Sequence, residues 1–326
     1  MAPQKTVLGF GLVSLLIAGC ASGPHAPAAS LPSEKPAAAT PQREVPAWAA
    51  GVSFSGALCS GAQADASVVV KLYGKACAGN DGEGCWKLGA RYLCGAGVVK
   101  NPPVATGLIE KACTLGDAKG CELAGALYMD GNGVPRDTNR AHTFFDRSCT
   151  MGLAEGCGLD GMALLLSGEQ ADMSRGLALV EKACEGGVAD QCANVGLLNA
   201  KGIGTHVNET RAAEFAKKAC EMKSMNGCTN LATMYASGLG PIAKDEAKAA
   251  ELYGIACAGD NAAACTALAQ CYWNGTGVAV DQTKAAELLQ KGCDKGEGQA
   301  CRALADVVGM RSAPPVIDYA SGPGLL

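Results

Sequence analysis

The chain has 326 residues, a formal net charge of −4 and only 5% aromatic residues. Without a basic patch or a series of stacking aromatics, it is not built to bind nucleic acid. Eighteen cysteines and three histidines point to an oxidising compartment and away from a histidine-rich metalloenzyme.

The start, Met1 to Lys5, carries a lysine and the amino terminus as its positive charges. Val7 to Ile17 follows as an apolar stretch too short to span a bilayer. It runs into Leu16-Ile17-Ala18-Gly19-Cys20, which resembles a bacterial lipobox. The resemblance implies a signal peptide over 1–19, cleavage before Cys20 and lipidation of its thiol. Ala21 stands next, with no Asp. By analogy with lipoprotein sorting in enteric bacteria, that implies the outer membrane. An ordinary secretory signal or an uncleaved segment is the alternative.

Residues 20–46 are predicted to be the anchor and a tether. Six prolines among Ala and Ser favour an extended chain of roughly 3.1 Å per residue. Residues 47–61 are predicted to form a capping helix with Trp48, Val52, Phe54 and Leu58 as its apolar contacts. Cys59 then falls near the end of that helix and Cys94 near the end of the equivalent one, so a Cys59–Cys94 bridge is expected.

From residue 62 to about 310 one unit repeats. Its mark is Cys-x7-Cys: Cys77/Cys85, Cys113/Cys121, Cys149/Cys157, Cys184/Cys192, Cys220/Cys228, Cys257/Cys265 and Cys293/Cys301. The first members are 36, 36, 35, 36, 37 and 36 residues apart. Such a period means a stacked repeat array rather than a single core. Twelve residues before each first cysteine stands Asp65, Asn101, Asp137, Asp172, Asn208, Asp245 or Asp281, a helix N-cap. Ten residues after the second cysteine stands Gly95, Gly131, Gly202, Gly238 or Gly275, a left-handed helix end. Each period therefore holds two helices. Helix A opens at the second cysteine, for example from about Gly120 to Asp130. Helix B runs from the Asp/Asn cap to the next first cysteine. A loop such as Thr114 to Gly120 joins B to the next A.

Two antiparallel helices on a short turn bring each cysteine pair face to face. Four residues after the second cysteine stands Gly89, Gly125, Gly161, Gly196, Ala232, Ala269 or Ala305. An offset of four is about 40° around a helix, so these small residues are expected to permit the approach of roughly 4.4–6.8 Å that a disulfide needs. Seven bridges are predicted, each adding about 2–3 kcal/mol on the chain-entropy model. Buried reduced cysteines or a zinc cluster are the alternatives, and zinc wants closer ligand spacing. Setting aside Cys20 and the seven pairs leaves Cys59, Cys94 and Cys271, an odd number.

The stretch from Lys182-Ala183-Cys184 through Gly202-Ile203-Gly204 to Lys218-Ala219-Cys220 resembles a Sel1-like repeat, a relative of the tetratricopeptide repeat. Ordinary Sel1-like repeats carry Ala at both cysteine positions. The Cys-for-Ala version is similar to the cysteine-rich, disulfide-bridged Hcp family. The expected fold is thus all-α, an α/α solenoid of Sel1-like repeats. Copy 157–184 departs most, having Leu166-Ser167-Gly168-Glu169-Gln170 where others have Gly-x-Gly. Copy 228–257 has one extra loop residue and Pro241. A disordered tail is predicted over 311–326.

Some Hcp-type proteins are credited with penicillin-binding or β-lactamase-like activity, so the resemblance implies that alternative. The residues do not supply it. No serine is followed by Lys at the third place, and Ser-Asp-Asn and Lys-Thr-Gly are absent. His25, His142 and His206 are far apart. No catalytic residue, metal site or cofactor is predicted. The Gly-x-Gly loops read as helix ends rather than phosphate cradles. Tyr92, Tyr128, Tyr235 and Tyr272 stand seven residues after a cysteine and are expected to pack inside. The face of helix A opposite the cysteines carries Lys87, Arg91, Leu127, Asp130, Met234 and Asn274. This is the candidate groove for an envelope protein or peptide, although its apolar members equally suit packing between A helices. The expectation is a lipid-anchored envelope protein that binds a protein or peptide partner and does not bind nucleic acid.

Overall fold

The computed structural model describes residues 66–166 and 169–312. The expected signal peptide, Cys20, tether, capping helix and Cys59 lie outside the described residues, as do Asp65 and residues 313–326.

Among the described residues there are fourteen helices and no strand. The B helices are α1 (Ala66–Ala78), α3 (Pro102–Thr114), α5 (Thr138–Thr150), α7 (Gln170–Glu185), α9 (Glu209–Glu221), α11 (Glu246–Ala258) and α13 (Gln282–Asp294). The A helices are α2 (Gly82–Cys94), α4 (Ala118–Asp130), α6 (Ala154–Leu165), α8 (Ala189–Lys201), α10 (Met225–Ser237), α12 (Ala262–Asn274) and α14 (Gly298–Ser312). They form two compact units, one up to Asn230 and one from Leu231 on.

In the first unit α4 packs on both α2 and α6, and in the second α12 packs on α14. The A helices are therefore the inner layer. In α4 every residue from Gly120 to Tyr128 is buried. The neighbouring B helix α3 buries one stripe, Ala105, Thr106, Ile109, Ala112 and Cys113, which is the i, i+4, i+7 pattern of a helix with one wet face.

The caps act as the sequence requires. Asn101, Asp137, Asn208, Asp245 and Asp281 each accept from a backbone N–H in the first turn of a B helix. Gly95, Gly131, Gly202 and Gly275 close A helices with φ between 67° and 72°. A second glycine follows in the loop. Gly277 lies so near the start of α11 that a Cβ would sit 2.0 Å from the Glu246 carbonyl oxygen, so the loop can stack there only as glycine.

Four expectations need correction. The A helices do not open at the second cysteine. Cys85, Cys121, Cys157, Cys192, Cys228, Cys265 and Cys301 each stand one turn inside, at the fourth residue of their helix. Asp81, Asp117, Ser224, Asn261 and Glu297 cap five of these helices ahead of the cysteine, which moves the start upstream. The B-to-A loop is accordingly only three residues, Leu115 to Asp117 in one repeat, so both cysteines of a pair are helical. Asp172 is not a cap. It lies in the first turn of α7, whose N-cap residue is Glu169. The last helix runs to Ser312, past the expected end at 310.

The small residues four places after the second cysteine also do a different job from the one expected. A Cβ on Gly89 would lie 2.6 Å from Ile109 Cγ1, and one on Gly125 would meet Phe145. They seat the following B helix. Four residues of helix rise about 6 Å, which carries them clear of the bridge.

Candidate functional site

Close approach at each cysteine pair comes from the residues immediately before it. A Cβ on Gly84 would lie 2.5 Å from the Ala76 side chain and 3.2 Å from the Cys77 nitrogen. Gly120 meets Ala112 in the same way, and Gly227 meets Ala219. In the last repeat the partners are exchanged, with Gly292 against Ala300. The sequence carries the signal for this: every first cysteine follows Ala, Ser or Gly.

Seven disulfides join B helices to the following A helices. They are Cys77–Cys85, Cys113–Cys121, Cys149–Cys157, Cys184–Cys192, Cys220–Cys228, Cys257–Cys265 and Cys293–Cys301, each with a sequence separation of 8. Their Cα atoms are 4.4–4.7 Å apart. The second cysteine is the deeper half of most pairs. Cys121, Cys192 and Cys265 are wholly excluded from solvent and Cys228 is 2% exposed, because each lies on the inner layer. Cys94 is also disulfide-bonded; the other half of the expected Cys59–Cys94 bridge lies outside the described residues. Cys271 is a fully buried thiol on α12.

Groove candidates split by chemistry. Leu127 and Met234 are 6% and 5% exposed. Leu127 belongs to a core cluster with Leu93, Ile109 and Leu123. These two are core residues, and apolar packing between helices is the reading that holds for them. Lys87 and Arg91 on α2 are half-buried, while Asp130 on α4 and Asn274 on α12 are exposed. Lys87 pairs with Glu83 and lies 5.6 Å from the Trp86 ring centroid. Its bond to Glu83 holds the ammonium above the usual lysine range.

The recurring tyrosines do structural work. The backbone oxygens of Tyr92, Tyr128, Tyr235 and Tyr272 each accept at 2.9 Å from the N–H of the following cap residue. Three of the rings carry a cation from the next B helix: Arg140 over Tyr128, Lys248 over Tyr235 and Lys284 over Tyr272, at 4.7, 4.7 and 4.3 Å. Tyr128 is nearly fully buried and the other three are half-buried.

Two carboxylates, Asp160 and Glu122, are buried. Asp160 on α6 pairs with His142 Nδ1 on α5, and its second oxygen is buried without a partner. Burial pushes its pKa above the usual carboxylate range, against the bond from His142. Glu122 is 2% exposed and accepts from Lys119 at 2.6 Å; burial again outweighs the cation and raises it. Single residues within helices of ordinary pattern gave no sign of this. Among the described residues no three His, Cys, Asp or Glu side chains converge as a metal site. No helix there is long and apolar enough to cross a membrane.

No curated protein matches the sequence. Among solved structures the chain is similar to a protective antigen of uropathogenic Escherichia coli strains displaying an SLR fold. The TM-score is 0.64 at 23% identity, over 76% of this chain and 53% of that one, so this chain spans about half that antigen. It is also similar to a Sel1 repeat protein from Oxalobacter formigenes, with TM-score 0.63 and 23% identity over 69% of this chain and 92% of that one. Helicobacter pylori cysteine rich protein B is 29% identical over 41% of this chain and 96% of its own, with TM-score 0.35. The Sel1 repeat model matches residues 82–117, 118–153, 158–188, 192–224, 226–261 and 262–297. With more than half of its length in such repeats, all of them helical, the chain belongs to the Sel1 repeat family.

Proposed function

We propose that this protein is a lipid-anchored component of the bacterial envelope whose repeats hold a partner protein or an extended peptide. The observation that carries this reading is the series of seven disulfides on a helical-repeat scaffold. Such a series suits an oxidising compartment. A repeat scaffold offers extended surface rather than a closed pocket. The lipobox-like Leu16 to Cys20 supports anchoring, and Ala21 supports the outer membrane. On the inner layer of the first unit, half-buried Lys87 and Arg91 and exposed Asp130 are suited to polar contacts with a peptide. In the second unit exposed Asn274 is the corresponding contact.

The binding claim is tested by panning a displayed peptide library on the oxidised chain. Selected peptides are expected to lose about tenfold in affinity when Lys87→Glu and Arg91→Glu are combined, as charge reversal at an interface does. Peptides indifferent to both changes would remove this face from the reading. Anchoring is tested separately. Cys20→Ser is expected to abolish incorporation of labelled fatty acid and to move the protein out of the membrane fraction. A chromogenic β-lactam should be left intact; sustained turnover would replace the binding role with a hydrolytic one.

A further inference from the structure

The seven bridges differ in their electrostatic surroundings. Two residues before the first cysteine most repeats carry a cation, and three of these, Lys111, Lys182 and Lys291, reach back to the preceding repeat. In two places it meets a helix end: Lys111 Nζ donates to the Cys77 carbonyl at 2.8 Å, and Lys291 Nζ to the Cys257 carbonyl at 2.6 Å. Lys182 occupies the same position, yet its Nζ lies 3.5 Å from Cys149 Sγ. An ammonium group therefore rests on a sulfur of the Cys149–Cys157 bridge.

That bridge also holds the repeat with weak end restraints. Leu153 opens α6 and has no side-chain acceptor to cap it. Leu166 closes α6 in a right-handed conformation, where other A helices end on left-handed glycine. No side-chain cap bond forms at the start of α7. Inside α6, the second oxygen of Asp160 is buried without a partner, a further cost of keeping this repeat closed.

We propose that Cys149–Cys157 is the redox-labile staple of this protein, opened by a dithiol reductant before the other six helix-pair bridges, with Lys182 stabilising the thiolate that departs. Both sulfurs are buried, so the reductant reaches them through a local opening, which weakly capped helices favour. A reductant thiolate attacks Cys157 Sγ. A new S–S bond forms to Cys157, the bond to Cys149 breaks, and the electron pair leaves on Cys149 Sγ beside the Lys182 ammonium. The second thiol of the reductant, as its thiolate, then displaces Cys157. The reductant departs as an intramolecular disulfide, and two protein thiol groups remain. A neighbouring cation lowers the thiol pKa, and a more acidic leaving thiol departs faster. Reduction would release α5 from α6 and loosen this repeat while the others stay stapled.

The test is graded reduction of the oxidised full chain with dithiothreitol at neutral pH, quenched by alkylation and mapped by mass spectrometry. Cys149 and Cys157 are expected to be labelled first, about tenfold faster than the next helix pair, the scale of a leaving-group effect of this kind. Lys182→Met should slow that pair about three- to tenfold and leave the other six unchanged, while Lys182→Arg keeps the fast rate. The sign separates the proposal from a structural role. If Lys182 only held the helices together, Lys182→Met would speed reduction. Faster or unchanged reduction in that variant, or a wild-type order in which another of these pairs opens first, would overturn the proposal.

Discussion

Gly161 on α6 and Gly176 on α7 pack backbone against backbone: a Cβ built on either would lie 2.6 Å from the carbonyl oxygen of the other. Gly176 stands where the other described repeats with a capped B helix have Ala105, Ala141, Ala212, Ala249 and Ala285, each 0–1% exposed. Restoring the common residue should therefore harm this repeat. Gly176→Ala gains about 1 kcal/mol of helix propensity but overpacks by about 1–3 kcal/mol. The expected net result is a modest fall in stability, read as a lower midpoint in chemical unfolding of the oxidised protein. A raised midpoint would mean that the two helices can separate at no cost.

Two repeats carry versions of one polar cluster. In the first, the Tyr128 hydroxyl donates to Glu110 Oε1 at 2.5 Å and accepts from Arg140 at 2.5 Å. In the second, Glu181, Asn199 and Arg211 hold the same positions. Arg211 reaches Glu181 directly at 2.9 Å, leaving Glu181 Oε1 and Asn199 Oδ1 buried without partners. Asn199→Leu, which copies Leu164 of the preceding repeat, removes one of these orphans. It should stabilise by about 1 kcal/mol, since a buried unsatisfied group costs about 1–3 kcal/mol. Slower amide exchange in α8 would show it; faster exchange would count against the assignment.

Tyr128→Phe should do the reverse, costing about 1–2 kcal/mol by stranding Glu110 and Arg140. Burial, and then Glu110, push the Tyr128 hydroxyl above its ordinary value of 10.0. A group raised in the folded state contributes stability below its unfolded value and loses it as pH climbs through the folded one. Wild type should therefore lose stability above about pH 10 more steeply than Tyr128→Phe. Parallel alkaline limbs in the two proteins would refute this.

Glu122 gives a second pH test of the same sign. Burial lifts it above its ordinary value of 4.5 despite Lys119, so the folded state favours the protonated form. Its effect on stability is lost as pH rises from that value through the folded one. Glu122→Gln cannot titrate. Relative to wild type, the variant should gain stability as pH climbs above about 4.5. Urea midpoints on either side of that pH would measure it, and a difference between the two proteins that does not change with pH, or changes in the other direction, would contradict it.

The repeat period, the caps of the B helices, the glycine ends of the A helices and the cysteine pairing were all legible in the sequence. They are local: a cap, a left-handed turn or a nine-residue disulfide loop is specified by residues within one or two turns of each other. The cysteine spacing places the start of each A helix one turn too late, because residues such as Asp117 and Asn261 cap these helices ahead of Cys121 and Cys265. The face a small residue serves was not legible. Gly89 and Gly125 were expected at the bridge but seat the following B helix, because which neighbour a helix meets depends on helix rise and crossing rather than on angular offset alone. Burial of Asp160 and Glu122, the core placement of Leu127 and Met234, and the position of Lys182 at a sulfur instead of a carbonyl were likewise decided only in three dimensions. Each depends on distances between side chains far apart in the chain or on how tightly the inner layer closes, and a repeating pattern does not encode those differences between one copy and the next.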